Sequence, residues 1–408
     1  MPERKEGVVP RLRFPEFRNA GEWKVKRLVD IADVNAAGDL DSKEFSPVRT
    51  QDHIYPVYSN SVAQEGLYGF CSYPKYKKES VTITARGTLG VAFYRDHDFV
   101  GIGRLLIVSN LHETSPRFLK ELWNHLVREP FEDGGIPQLT AIKARRVKLF
   151  LPNLSEQQKI ADCLSSLDEV IELEVQKLEA LKAHKKGLMQ QLFPREGETT
   201  PRLRFPEFRD AGPWEVKRLG EICDILQGYG FPEKFQGKTK GKYPFCKVSD
   251  ITYAVNNTGG AIARAENYVD DEDIESLRAR PIPIGATIFA KIGEALRLNK
   301  RALVSVECLI DNNVVALKGL DNQTKDHFVL YLSQKIDLNK YYGGAIPAVN
   351  KSTLESIKLS VPEVDEQQKI ADCLTSLDEV IELQAKELDA LKTHKKGLMQ
   401  QLFPQEVD

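Results

Sequence analysis

The chain lacks most of what a membrane, secreted or self-sufficient catalytic protein needs. No apolar run approaches the roughly 18 residues required to span a bilayer. The opening residues, MPERKEGVVP, are charged and lack the apolar stretch of a secretory signal. The six cysteines, at 71, 163, 223, 246, 308 and 373, form no CxxC pair and no metal-ligand spacing. Neither a disulfide framework nor a metal centre is therefore expected, and the cysteine usage fits reduced thiols in the cytoplasm. Cys163 and Cys373 stand beside Leu164 and Leu374, where packed thiols are expected. There is no GxxxxGK[ST] phosphate loop, no NPPY-like or DPPY-like tetrad, no PD…(D/E)xK-like cluster, and no Ser-x-x-Lys or GxSxG nucleophile. GYGF at 228–231 and GIG at 101–103 are too short for a dinucleotide fingerprint and lack the following helix. Of the seven histidines, His184 and His394 lie among lysines in helical stretches, where a surface or seam role is expected. The chain itself reads as non-catalytic and without a cofactor.

What is present fits a folded, multi-domain protein. A hydrophobic content of 41% and a charged content of 28% exclude wholesale disorder, and 408 residues suffice for two or more cores. The net charge of −2 conceals an uneven distribution: +4 over residues 1–150, −1 over 151–195, +1 over 196–360 and −6 over 361–408. Such a division permits polyanion binding by the first and third segments without requiring it.

The chain repeats itself. PRLRFPEFRNAGEWKVKRL at 10–28 returns as PRLRFPEFRDAGPWEVKRL at 201–219, and EQQKIADCLSSLDEVIELEVQKLEALKAHKKGLMQQLFP at 156–194 returns, nearly unchanged, at 366–404. A period near 200 residues means two pseudo-equivalent halves, not a solenoid. The segments between these anchors differ. They correspond in pattern only: VTITARGTLG at 81–90 stands opposite ATIFAKIGEA at 286–295, and GGIPQLTAIKARRVKLFLP at 134–152 opposite GAIPAVNKSTLESIKLSVP at 344–362. Short β-branched and aromatic runs broken by Gly, Pro, Asn and Asp predict strands and tight turns. Helical pieces are expected at 116–128 and 324–336. The boundaries read as a globule over 1–150, a helix over 151–195, a second globule over 196–360 and a second helix over 361–408.

The helices have a clear grammar. Ser155 and Asp365 precede Glu156 and Glu366 where a cap and early-turn acid favour initiation, and Pro194 and Pro404 stop the run. Ile160, Leu164, Leu167, Ile171, Leu178, Leu181, Leu188 and Leu192 follow 3-4 spacing, as do Ile370, Leu374, Leu377, Ile381, Leu388, Leu391, Leu398 and Leu402. The interrupted slots hold Glu174, Lys185, Gln384 and Lys395, polar residues suited to setting register. A stripe of this length predicts a coiled-coil seam, and the simplest partner for each helix is its own copy, antiparallel. The expected fold is α+β: two globules separated by two long helices in an antiparallel coiled coil with pseudo-two-fold symmetry.

The two LP-x-L-x-EQQKIADCLSSLDEVIEL…LKxHKKGLMQQLFP segments (the second beginning VPEV), with the RFPEF-x-x-AG-x-W-x-VKRL lead-ins, closely resemble the conserved regions of specificity subunits of type I restriction–modification systems. The resemblance covers nearly the whole chain. It implies that each globule is a target recognition domain reading one half of a split double-stranded DNA site, and that the helices set the unread gap. It also implies that two modification (methyltransferase) subunits dock on the helices and restriction subunits join them. Those partners would use S-adenosylmethionine, ATP and Mg, and no membrane is involved.

Under that reading, DNA contacts are sought in polar loops. Arg86 and Thr88 in ARGTLG, and Lys291 in AKIGEA, stand between a strand-like run and glycine; a solvated charge beside a turn is the competing reading. Ser59, Asn60 and Gln64 in YSNSVAQEG, and Lys247 and Ser249 in CKVSD, fit base-edge chemistry and equally fit simple turns. Arg104, Gln138, Arg297, Asn312, Asn313 and Asn350 are weaker candidates. KYKK at 75–78 and KTKGK at 238–242 suit phosphate contacts, whereas DDEDIE at 270–275 is expected to face away from DNA. A non-DNA-binding coiled-coil scaffold and an enzyme with an unrecognised site stay open as alternatives.

Overall fold

The computed structural model describes residues 7–126, 138–342 and 347–404. Residues 127–128 of the first expected helical piece, and the starts of the two facing IP segments at 134–137 and 344–346, lie outside the described residues. The chain divides into two units, residues 1–173 with 388–408, and residues 174–387. The two long helices are single elements, Leu154–Leu192 and Val364–Leu402. Each therefore begins in one unit and ends in the other.

Among the described residues the first unit has three sheets. Trp23–Arg27 pairs antiparallel with Gly7–Val8 and Lys148–Leu151. Asp33–Ala36, Leu106–Ser109, Ser80–Ile83 and Ala92–Arg95 form an antiparallel sheet in that order. In the third sheet Tyr55–Tyr58 lies between Leu67–Cys71, antiparallel, and Val100–Gly101, parallel. The helix Pro116–Leu126 buries Phe118, Leu119, Leu122 and Trp123. In the second unit the corresponding strands are Cys223–Gln227, Val314–Gly319 and Thr287–Ala290 in one sheet and Tyr243–Cys246 parallel to Leu309–Ile310 in another. Asp326–Gln334 is the helix expected over 324–336. The unit adds a helix, Val248–Asn257, that has no counterpart among the described residues of the first.

The repeated lead-in explains itself in the packing. Arg13 reaches the start of the first long helix and donates from Nε and Nη2 to the two carboxylate oxygens of Glu156, both at 2.7 Å. Trp23 Nε1 donates to the same carboxylate at 3.3 Å. In the second unit Arg204 grips Glu366 in the same fork, at 2.7 and 2.6 Å. Both carboxylates are buried, at 1% and 2% side-chain exposure. The neighbouring glutamine is equally committed. Gln157 Nε2 donates to the carbonyls of Pro152 and Glu113, and its Oε1 accepts from Ser115 N–H. Gln367 repeats those contacts with Pro362, Gln323 and Lys325. The first two residues of each EQQ triplet thus form a joint between helix and globule, while Gln158 and Gln368 stay exposed and bond within their own helices. The expected cap moves as well: Asn153 Oδ1 accepts from Glu156 N–H at 2.9 Å, so Asn153 caps the first helix and Ser155 lies inside its first turn. Asp365 likewise falls in the first turn of a helix that starts at Val364, where a negative charge suits the helix dipole.

Within each unit the helix segments run antiparallel. In the first, Ile160 and Leu164 share a core with Leu402 and Phe403, and Lys395 Nζ lies 2.6 Å from both oxygens of Asp168. Numbering rises on one helix as it falls on the other. In the second unit, Ile370 and Leu374 share a core with Leu192 and Phe193, and Lys185 pairs with Asp378. Of the sixteen stripe residues, Ile160, Leu164, Leu178, Leu192, Ile370, Leu374, Leu388 and Leu402 are buried. Leu167, Ile171, Leu181, Leu188, Leu377, Ile381, Leu391 and Leu398 are half-buried. One expectation needs amending: the outer ends of the stripes pack into globule cores around Trp23, Phe118, Trp214 and Phe328, and not only against the other helix. Cys163 and Cys373 are half-buried, less packed than expected, and all six thiols are free.

The polar slots carry specific pairs. Glu174 and Gln384 occupy the same place in the two helix copies and meet each other, Gln384 Nε2 donating to the Glu174 carboxylate. Gln384 is 4% exposed. Gln384→Glu would set two carboxylates together, so that one holds its proton above the usual carboxylate range. The folded form then binds more protons than the unfolded one, and stability falls as pH rises through that raised pKa. We expect thermal melting to show a loss of about 1–3 kcal/mol at pH 7, little loss near pH 4, and recovery at pH 7 in the Glu174→Gln/Gln384→Glu double variant.

Candidate nucleic-acid interface

Strand direction decides which loops meet. Tyr55–Tyr58 and Val100–Gly101 are parallel, so the loops that follow them leave the sheet at the same end. Asn60 joins them: its Nδ2 donates to Gly103 O at 2.6 Å, and its Oδ1 accepts from Ala85 N–H at 2.7 Å. Ala85 O accepts from Leu139 N–H at 3.1 Å. One cluster therefore holds Ser59, Asn60 and Gln64, Arg86 and Thr88, Arg104, and Gln138. Arg86, Thr88, Arg104 and Gln64 are exposed, while Ser59, Asn60 and Gln138 are half-buried. The amide of Asn60 has a backbone partner at both ends, so it ties the loops together. Thr84 Oγ1 donates to Thr88 O and accepts from Val91 N–H, which shapes the turn that lifts Arg86 into solvent. Arg104 follows Gly103 in a left-handed pair, at φ 65° and 66°.

The second unit repeats the arrangement with different chemistry. Tyr243–Cys246 and Leu309–Ile310 are again parallel. Lys291 N–H donates to Asn313 O at 2.8 Å, and Lys291 O accepts from Val349 N–H at 2.9 Å. Lys291, unlike Arg86, is half-buried and donates to Gln227 Oε1 at 2.5 Å. Burial pushes its ammonium pKa down, and the nearby Asp311 carboxylate pulls it partly back. Asp311 accepts from Asn313 N–H at 3.0 Å and from its Nδ2 at 3.2 Å. Gly228 must be glycine, because a Cβ there would lie 1.8 Å from Asp311 O. Asn312 and Ser249 are exposed, and Ser249 sits in the first turn of the helix Val248–Asn257. Lys247 lies 4.6 Å from the ring centroid of Phe231. Arg297 is held by Tyr342 Oη at 3.1 Å and Glu294 at 3.4 Å. Asn350 caps the helix Lys351–Ser356 through Thr353 N–H at 2.8 Å.

The basic runs are less available than their composition suggests. Lys238 pairs with Asp270 at 2.6 Å and Asp273 at 3.0 Å, and Lys242 pairs with Asp271 at 2.9 Å. The acidic segment expected to face away is thus the counter-charge of KTKGK. Hydrogen bonds from these lysines hold Asp270 and Asp271 below the usual carboxylate range. In KYKK, Lys77 pairs with Asp98 at 2.9 Å, and Lys75 donates to Asp39 O at 3.2 Å. Sequence reading missed Gln227 and Asp311, which position Lys291, and Arg95, buried beneath the loop 59–66. Only their spacing from the candidate loops hinted at them. Among the described residues no group of three or more His, Cys, Asp or Glu could hold a metal ion, and no helix is long and apolar enough to cross a membrane.

Comparison with known proteins places both loop clusters inside one repeated domain. The family model described as "Type I restriction modification DNA specificity domain" matches residues 20–183 and again 212–393. A curated relative, provisionally named the MjaX specificity subunit of a type I restriction enzyme of Methanocaldococcus jannaschii, is 27% identical over 321 residues, 74% of this chain and 71% of that one. The crystal structure of a type I restriction–modification S subunit from M. genitalium superposes with a TM-score of 0.64 at 16% identity, covering 98% of this chain and 100% of that one. A chain from a study of complex assembly and conformational transition of the type I R-M system gives 0.55 at 17% identity, over 94% and 98%. With two matches that together take in most of its length, this chain belongs to the type I restriction–modification DNA specificity family.

Proposed function

We propose that the chain is the DNA-reading subunit of a type I restriction–modification complex, with one half of a split, asymmetric site read by the loop cluster of each unit. The carrying observation is the pair of clusters themselves. They lie at the same place on two copies of one frame, yet one offers Arg86, Arg104 and the loop 59–66, and the other Lys291, Asn312 and a helix. A shared frame with unlike contact residues suits two different half-sites. Binding both halves from one chain raises the effective concentration of the second contact. The long helices, ~58 Å each at 1.5 Å per residue, would set the gap between half-sites that lie about one turn, ~34–36 Å, apart.

The outward helix faces suit two copies of one partner. Residues 156–173 and 366–383 are identical except at Ser165 and Thr375, including the exposed Gln158, Asp162, Glu169, Val170 and Leu173. Leu173 and Leu383 are 63% and 65% exposed. Immediately afterwards the exposed Gln176 and Lys177 correspond to the exposed Lys386 and Glu387, so solvent-facing positions in the same helices have diverged. A face kept twice fits two modification subunits. Restriction subunits would join them in the cytoplasm, and S-adenosylmethionine, ATP and Mg would act on those partners.

Binding of the chain with its modification subunits to duplex DNA, measured against salt, tests the reading. Log K is expected to fall linearly with log salt. Arg104→Ala is expected to weaken all sequences alike and reduce the slope by about one phosphate contact. DNA affinity that ignores salt would contradict it and favour a scaffold. Adding one heptad to each long helix is expected to lengthen the unread gap.

A further inference from the structure

The hairpin tip between Tyr55–Tyr58 and Leu67–Cys71 is under backbone strain. Gln64 and Glu65 are both left-handed, at φ 48° and 53°, and Gly66 follows at 86°. Non-glycine residues visit this region singly, and two in succession persist only where their surroundings impose it. Arg95 imposes it. Its side chain is 1% exposed and its guanidinium lies 3.5 Å from the centroid of the Tyr58 ring. Nη2 donates to Glu65 O at 2.7 Å, Nη1 to the Glu65 carboxylate at 3.3 Å, and Nε to Thr82 Oγ1 at 3.0 Å. The base of the tip is closed by Ser59 N–H donating to Gly66 O at 2.8 Å. A Cβ on Gly66 would lie 2.6 Å from Ser59 O.

A buried cation is therefore committed to fixing the backbone of a loop whose tip, residues 61–65, is exposed. That tip holds no lysine or arginine, so it cannot grip phosphate by charge. The side-chain amide of Gln64 makes no hydrogen bond among the described residues, and it offers the paired donor and acceptor that match the N6/N7 edge of adenine. Arg86 and Arg104 on the adjoining loops supply the cations that phosphates need. We propose that Gln64 is a base-reading, specificity-determining residue of the first unit and that Arg95 is its positioning residue, an inference that rests on the DNA-reading function proposed above.

The test uses the full-length chain with its modification subunits and a duplex library randomised at every position. Gln64→Ala is expected to lower the preference at one base position of one half-site by roughly 10- to 100-fold, the range a lost bidentate contact covers. The other half-site should be untouched. Arg95→Lys keeps the charge but loses the planar fork, and is expected to relax the same position with Gln64 intact. A merely structural arginine would lower the melting temperature and leave base preference unchanged. If wild type selects a split site and Gln64→Ala retains every preference, the inference falls alone. If wild type selects no split site, the proposed function falls and takes the inference with it.

Discussion

Arg13→Ala is expected to destabilise the first unit by about 3–5 kcal/mol, the range for stranding one member of a buried ion pair. The glutamate left behind, Glu156, is 1% exposed and would keep only the Trp23 indole and the Asn153-capped backbone around it. For a unit of this size the loss corresponds to a melting shift on the order of 10 °C. Hydrogen exchange should place the loss in the strands 23–27 and 148–151 and the start of the first long helix, which all meet at this joint. Arg204→Ala should do the same to the second unit through Glu366. An Arg13→Met/Glu156→Met double variant should recover most of the stability, because neither charge is then left unpaired. Recovery should stay incomplete, since the Trp23 N–H loses its acceptor.

Phe403→Ala is expected to cost the first unit a further large amount, about 3–5 kcal/mol, although residue 403 lies at the far end of the chain. Phe403 is 1% exposed and packs against Trp23 at 6.5 Å, Phe118 at 5.7 Å and His125 at 5.2 Å between ring centroids. Phe193 does the same for the second unit, 6.1 Å from Trp214 and 5.6 Å from Phe328. Each globule is therefore completed by the end of the helix that starts in the other unit. Phe403→Ala should loosen the surroundings of Trp23 while leaving Trp214 protected, and Phe193→Ala should do the reverse. Equal damage to both units by either substitution would contradict that exchange.

This arrangement shows how far a linear reading carries. The 3-4 spacing from Ile160 to Leu192 is a local signal, so the long helices and their apolar stripe were legible. Their antiparallel pairing followed from the duplication. What each repeated residue does was not legible, because Arg13 and Glu156 lie 143 residues apart and Phe403 is 380 residues from Trp23. Both repeats preserved these residues, and that was the available hint. The candidate loops were found because turn residues are locally marked, but partners were not. Asn60 looked like a base reader, and its amide proved to hold Gly103 and Ala85. Lys238 looked free until Asp270 and Asp273 were beside it. VSDITYAVNN is rich in β-branched residues and asparagine, yet residues 248–257 are helical. Asp250 accepts from Lys247 N–H at 2.7 Å at its start, and Ile251 and Ala254 are buried beneath it. There tertiary packing overrides weak propensity.

The most direct measurement is a map of methylated bases in cells carrying the full complex, compared with cells whose chain has residues 1–150 replaced by those of another family member, with both long helices left intact. Two unlike readers on one chain predict a split motif that disappears when the chain is deleted and changes in only one half after the exchange, with the gap unaltered. A motif that changes in both halves, or in neither, would contradict the account.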